Sequence, residues 1–226
     1  MRKNKNKTLE KVVGIAIFSA LALVVALVCN VIPPVQGFLS LDVKDAVITI
    51  AAFTYGPVSA VCISFISALI ELLTFSTTGW YGFVMNFVSS AVFSLTATLL
   101  YMRRRTLNGA LTALFAAVVA TTGAMLLLNT FVTPLYLVTK GLALDVAKQS
   151  VADMLPKILL PFNFAKTMLN GSVLMLMYKP VTIAMSGAGL IEKKNASISF
   201  NKSSAVILAI GIATLATALA ILLILW

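Results

Sequence analysis

The sequence predicts an all-α integral membrane protein. Three observations carry that prediction: 60% of the 226 residues are hydrophobic, only 11% are charged, and the mean hydropathy is +1.03. A soluble domain carries roughly a quarter charged residues, and one of this length could not hide so much apolar surface. A bilayer, by contrast, takes roughly 20 apolar residues per helix. The length accommodates one bundle of six or seven spans with short loops and leaves no room for an added soluble catalytic domain.

The basic start, residues 1–11, leads into an uncharged run over residues 12–32. That run is too long for a removed signal peptide and lacks its small-residue cleavage site, so it reads as the first span. Pro33-Pro34 ends it, and residues 35–45 form a polar loop with Asp42, Lys44 and Asp45. The mostly apolar stretch 46–75 is split by Gly56-Pro57 into an unusually short second span and a third. Thr77-Thr78-Gly79 makes the next turn, the fourth span covers about residues 80–102, and Arg103-Arg104-Arg105 stops it. The fifth span covers about residues 107–132. In the more polar connection 134–156, Leu144, Ala147, Val151, Met154 and Leu155 recur at helical spacing opposite Asp145, Lys148, Gln149 and Asp153. This pattern predicts a short helix lying in the interface. The sixth span covers about residues 158–178, and the six together make a domain over residues 12–180. A basic linker (181–203) and a seventh, C-terminal transmembrane span (204–226) follow.

The chain holds 17 Lys+Arg against 7 Asp+Glu, an excess that in a soluble protein suggests nucleic acid. Its placement gives it another meaning here. With a cytoplasmic N-terminus, the inner segments collect Arg2, Lys3, Lys5, Lys7, Lys11, the three arginines, Lys179, Lys193, Lys194 and Lys202. The outer loops keep Lys44, Lys140, Lys148 and Lys157 beside four aspartates. Positive charge retained inside sets the orientation, which predicts a multi-pass membrane protein with a cytoplasmic N-terminus and no nucleic-acid partner. There is no histidine, and Cys29 and Cys62 sit in apolar runs without CxxC spacing, so no metal site or His-based catalysis is expected. The cysteines read as small buried hydrophobes. No nucleophile and base pair and no phosphate-binding loop is present, so the protein is expected to be no enzyme.

Lys166 lies about eight residues into the sixth span, roughly 12 Å along its axis, too deep for an end-of-helix anchor. At 100° per residue, Asn163, Lys166, Thr167 and Asn170 share one polar stripe, which faces protein or a cavity. The alternative is that Lys166 snorkels and the asparagines tie helices together. Asn129, read at the outer end of the fifth span, and Asp42 of the outer loop would join the stripe in a pocket for a polar small molecule. Glu71 reads as an interfacial carboxylate near the outer end of the third span, with proton coupling as the alternative. Asn86, Ser90, Ser94 and Thr98 form a polar stripe that most often means helix packing. Ala16 and Ala20 are a small-xxx-small pair, and Ala22 and Ala26 a second pair on another face of the first span.

Leu39-Ser40-Leu41-Asp42-Val43-Lys44-Asp45 followed by Phe53-Thr54-Tyr55-Gly56-Pro57 resembles the loop 1 and helix 2 signature of the riboflavin-specific S components of energy-coupling factor (ECF) transporters. Asn129 with Pro134-Leu135-Tyr136, and then Pro161-Phe162-Asn163-Phe164-Ala165-Lys166, is similar to that family's helix 5 end and PFNxxK segment. The resemblance covers about residues 12–180 in the right order. It implies a six-helix S-component bundle that captures riboflavin as transported ligand near the extracellular face, with no further cofactor. It also implies a transmembrane coupling subunit and two ABC-type ATPase subunits as partners. By the same resemblance Leu39, Ser40, Leu41, Asp42, Asn129, Asn163 and Lys166 contact or border the ligand, and Ala16 and Ala20 face the coupling subunit. The seventh span departs from the six-helix pattern. Asparagine amides suit other heterocycles as well as a flavin, so an S component for another vitamin is the nearest alternative. A solitary ion- or proton-coupled carrier using Glu71 and Lys166 is the rival from a different class.

Overall fold

The computed structural model describes residues 2–104, 106–187 and 202–225. Its helices are α1 (Arg2–Cys29), α2 (Lys44–Tyr55), α3 (Pro57–Thr74), α4 (Gly79–Arg103), α5 (Leu107–Thr139), α6 (Leu144–Met154), α7 (Leu160–Gly187) and α8 (Lys202–Leu225). One π-helical turn, Leu155–Leu159, joins α6 to α7. Five helices are long and apolar enough to cross a membrane: α1, α3, α4, α5 and α8. α7 has the length, but its polar stripe dilutes it.

α2 has 12 residues, about 18 Å of helix, so it makes only part of a crossing of a hydrocarbon layer of about 30 Å by itself. It sits inside the bundle, packed against α1, α3, α4 and α7, and counts as a crossing only together with the folded segment that precedes it. Alanines let these helices approach closely, with Ala22, Ala46, Ala51, Ala52, Ala60 and Ala97 buried around Phe18, Ile48, Ile63 and Phe93. Gly56, at φ +93°, turns the chain from α2 directly into Pro57, the first residue of α3. The expected break at Gly56-Pro57 is therefore present.

Two helices pass prolines that were expected to lie beyond their ends. α5 continues through Pro134 to Thr139, because a proline removes one N–H from the ladder while the bonds on either side remain available. Its actual stop is Gly141 at φ +97°, where Leu142 N–H donates to the Leu137 carbonyl and Gly141 N–H to Val138. Asn129 thus lies ten residues inside α5 rather than at its end. α7 likewise contains Pro180 and runs to Gly187, so the linker begins later than expected. Arg105, Lys193, Lys194 and Trp226 lie outside the described residues.

The amphipathic pattern after Pro134 forms α6, which buries Ala147 and Val151. α8 packs along α7. Its Gly211 receives Leu176, its Thr214 hydroxyl meets that of Ser172 at 2.7 Å, and Ala218 and Leu222 are buried in the cluster around Leu159, Phe162 and Leu169. Cys29 and Cys62 are free thiols, half-buried rather than fully buried.

Candidate substrate site

The polar loop of the sequence reading is not a solvated loop. Residues 35–43 fold back on the bundle, with Val35 and Leu39 exchanging backbone hydrogen bonds. Asp42, Lys44 and Asp45 are all buried, at 5%, 1% and 1% exposure. Lys44 opens α2 and reaches Glu71 of α3, Nζ to Oε1 at 2.5 Å. The Asn86 amide of α4 donates to the other oxygen of Glu71 at 2.9 Å. Glu71 is therefore a buried, paired carboxylate and not the interfacial one expected from its position near the helix end. A charge in this setting needs a partner, and Lys44 supplies it.

A second ion pair lies beside the first. Lys166 of α7 donates to Asp42 Oδ2 at 2.7 Å and to the Ser40 carbonyl at 3.1 Å. Burial alone would raise the pKa of the Asp42 carboxyl. The Lys166 ammonium, with Lys44 behind it, outweighs burial and holds that pKa below the ordinary carboxylate value. Asn170, one turn further along α7, donates to the Asp42 carbonyl and accepts from Ala46 N–H, and so pins both the loop and the start of α2. Asp45 accepts from Ser90, and Thr49 donates to Ser94. The α4 stripe thus packs against α2 as expected, except at Asn86.

Under the folded loop lies a cavity with about 640 Å³ of empty space, its open mouth included. Leu39 and Ser40 form its loop wall, Asn129 its α5 wall, and Asn163 and Lys166 its α7 wall. Asn163 donates to the Leu159 carbonyl at the π-helical turn, and its own carbonyl oxygen has no hydrogen-bond partner among the described residues. Asn129 donates to Met125 O and accepts from the Thr133 hydroxyl. Phe38, Tyr81 and Tyr136 line the cavity as one cluster, with the Phe38 and Tyr81 ring centroids 5.9 Å and 6.0 Å from that of Tyr136. A cavity with flat aromatic walls and a few fixed amides and hydroxyls suits a planar heterocycle with a polar edge.

Residues 10–181 match the family model for the substrate-specific component of ECF transporters. The chain belongs to this family. It is 31% identical over 179 residues to the riboflavin transporter RibU of Staphylococcus aureus (strain TCH60), covering 79% of this chain and 93% of the relative. It also superposes on the solved structure of the S component of a bacterial ECF transporter with a TM-score of 0.63 and 29% identity, covering 80% of this chain and 98% of that one. The family match ends before α8, which is an addition to the matched part of the chain.

Of the residues expected in the ligand site of this S component, Leu39, Ser40, Asn129, Asn163 and Lys166 line the large cavity. Leu41 and Asp42 border a smaller neighbouring one instead. Ala16 and Ala20 lie exposed on α1, while Ala22 and Ala26 are buried. The sequence reading missed the wall formed by α4 and the residue before it, where Thr78, Tyr81, Met85, Asn86 and Ser89 line the cavity. Asn86 carried a visible signal, since it headed the polar stripe, but the stripe was read only as helix packing.

Proposed function

We propose that this S component captures riboflavin in the large cavity near the extracellular face. It would then deliver the vitamin inward by docking on a transmembrane coupling subunit driven by two ABC-type ATPases, with its N-terminus in the cytoplasm. The observation that carries the reading is the cavity itself. Asn129, Asn163 and Lys166 stand on two helices and line the same cavity as Phe38, Tyr81 and Tyr136, a combination that suits an isoalloxazine ring with its carbonyl and N–H edge. The likeness to the riboflavin transporter of S. aureus points to the same ligand.

The buried ion pairs favour capture over solitary coupled transport. Glu71 is bound by Lys44 and Asn86, and Lys166 by Asp42 and Ser40. A proton gained by Glu71 or given up by Lys166 would break a buried pair, at a cost of several kcal/mol. The testing experiment is titration of purified protein with riboflavin, followed by quenching of flavin fluorescence, beside a panel of other vitamins. Saturable quenching by riboflavin is expected. Binding of another vitamin in its place would move the assignment to a sister S component.

A further inference from the structure

The family match ends at residue 181, and α8 lies beyond it, yet α8 is packed into the fold rather than set beside it. Gly211 lies against Leu176 and Thr214 against Ser172, so the pairing climbs one helix as it descends the other. The two helices are antiparallel. This register carries Ala218 and Leu222 toward the start of α7, where both are buried, at 0% and 2% exposure, in one cluster with Leu159, Phe162 and Leu169. The same cluster takes in Val35, Leu39 and Leu41 of the folded loop.

Two members of that cluster also line the large cavity, Leu39 in its loop wall and Phe162 in its α7 wall. Each belongs both to the site and to the packing behind it. On α7, Phe162, Leu169, Ser172 and Leu176 fall on one face, whereas Asn163, Lys166 and Asn170 fall on the neighbouring one. The helix thus gives its polar stripe to the site and the loop, and its other row to α8. Lipid chains would cover an apolar row without fixing the position of its side chains, whereas a close-packed helix fixes them.

We propose that α8 is a buttress for the substrate site, in which Ala218 and Leu222 are positioning residues that hold Phe162 and Leu39, and with them the folded loop, in the arrangement that retains the ligand. This rests on the riboflavin reading above and adds to it an element outside the six-helix domain that sets how long the ligand stays. Neither Ala218 nor Leu222 lines the cavity. Their effect is therefore kinetic, since loosening the backing of a wall eases escape more than it alters encounter.

The test measures riboflavin dissociation from the full chain in detergent, read as recovery of flavin fluorescence on dilution, beside thermal unfolding of the ligand-free protein. Leu222→Ala trims the backing itself. Thr214→Val removes the hydroxyl contact with Ser172, where neither residue lines either of the two cavities, and Leu223→Ala trims a neighbouring side chain that is 75% exposed. Leu222→Ala is expected to speed dissociation about 3- to 10-fold. Leu223→Ala should leave the rate unchanged, and Thr214→Val should lower thermal stability without changing it. Dissociation of Leu222→Ala at the wild-type rate would overturn the buttress, and so would equal acceleration in Thr214→Val, because α8 would then act through general stability alone. Should Leu222→Ala fail to fold, Leu222→Val, shorter by a single methylene group, carries the same comparison with the same two readings. Wild-type protein that binds no riboflavin would overturn the riboflavin reading and the buttress with it, and is distinguishable because it needs no variant.

Discussion

Lys166 Nζ lies 2.7 Å from Asp42 Oδ2 and 3.1 Å from the Ser40 carbonyl, so one side chain of α7 both lines the large cavity and holds down the loop that roofs it. The roof and the floor of the site are thereby one hydrogen-bonded unit. Whatever contacts Lys166 from within the cavity also touches the anchor of the loop.

This coupling makes a first prediction. Lys166→Met alone leaves the Asp42 carboxylate buried and unpaired, and should cost about 3–5 kcal/mol of stability. Asp42→Asn combined with Lys166→Met removes both charges and should recover most of that loss. Thermal unfolding in detergent, run as a double-mutant cycle, checks it; additive losses would mean that the two residues do not interact. The pH dependence follows from the same pair. The folded pKa of Asp42 is lowered from its ordinary 3.8, so the pair contributes fully above that value and is lost only as pH falls through the lower folded pKa. Its contribution to stability should be flat between about pH 5 and 8.

The spans were legible because charge-poor runs separated by Pro, Gly and Arg mark membrane helices without reference to tertiary structure. Pro134 and Pro180 misled for a physical reason, since a proline costs a helix one hydrogen bond but ends it only when nothing beyond restores the ladder. The burial of Lys44 and Glu71 was not legible, because the two are 27 residues apart and Asp42 and Lys166 are 124 apart. No local periodicity pairs such charges. The α7 stripe was legible as one polar face, but its division of labour was not: Asn163 opens on the cavity, Thr167 meets Thr122, and Asn170 ties down the loop.

That division separates Asn163 from Asn170. Asn163→Leu removes a carbonyl oxygen that no group among the described residues uses, so folding should be retained while riboflavin affinity falls about 5- to 150-fold, the effect of about 1–3 kcal/mol. Asn170→Leu leaves Ala46 N–H only its longer bond to the Val43 carbonyl and deprives the Asp42 carbonyl of its donor, and should lower thermal stability first. Titration and thermal unfolding of the two variants side by side check this. Equal affinity for wild type and Asn163→Leu would remove α7's outer asparagine from the site.

Orientation is tested by labelling. The inner segments carry twelve of the chain's cations under the proposed topology, which places α6 outside and the start of α5 inside. In a background with Cys29 and Cys62 replaced by alanine, a membrane-impermeant thiol reagent applied to whole cells should modify Lys148→Cys and spare Asn108→Cys. Both positions are exposed, so protein burial would not account for a difference, and the reverse pattern would invert the assigned topology.

Ala16 and Ala20 lie on the exposed side of α1 beside Ile17, Leu21 and Val24, whereas Ala22 and Ala26 are buried in the bundle. A small-xxx-small face left outside the fold permits another helix to approach closely, which is the disposition a coupling subunit would need. Ala20→Trp should therefore leave riboflavin binding by the isolated S component unchanged, since Ala20 is exposed and lines neither cavity. In cells that also express a coupling subunit and its ATPases, the same substitution should lower concentrative uptake at least tenfold, about 1.4 kcal/mol of lost docking. Ala22→Trp supplies the contrast, because that side chain is fully buried and its enlargement should disrupt folding and binding together. Parallel loss of binding and uptake in Ala20→Trp would place this face in the structural core and remove it from the docking surface.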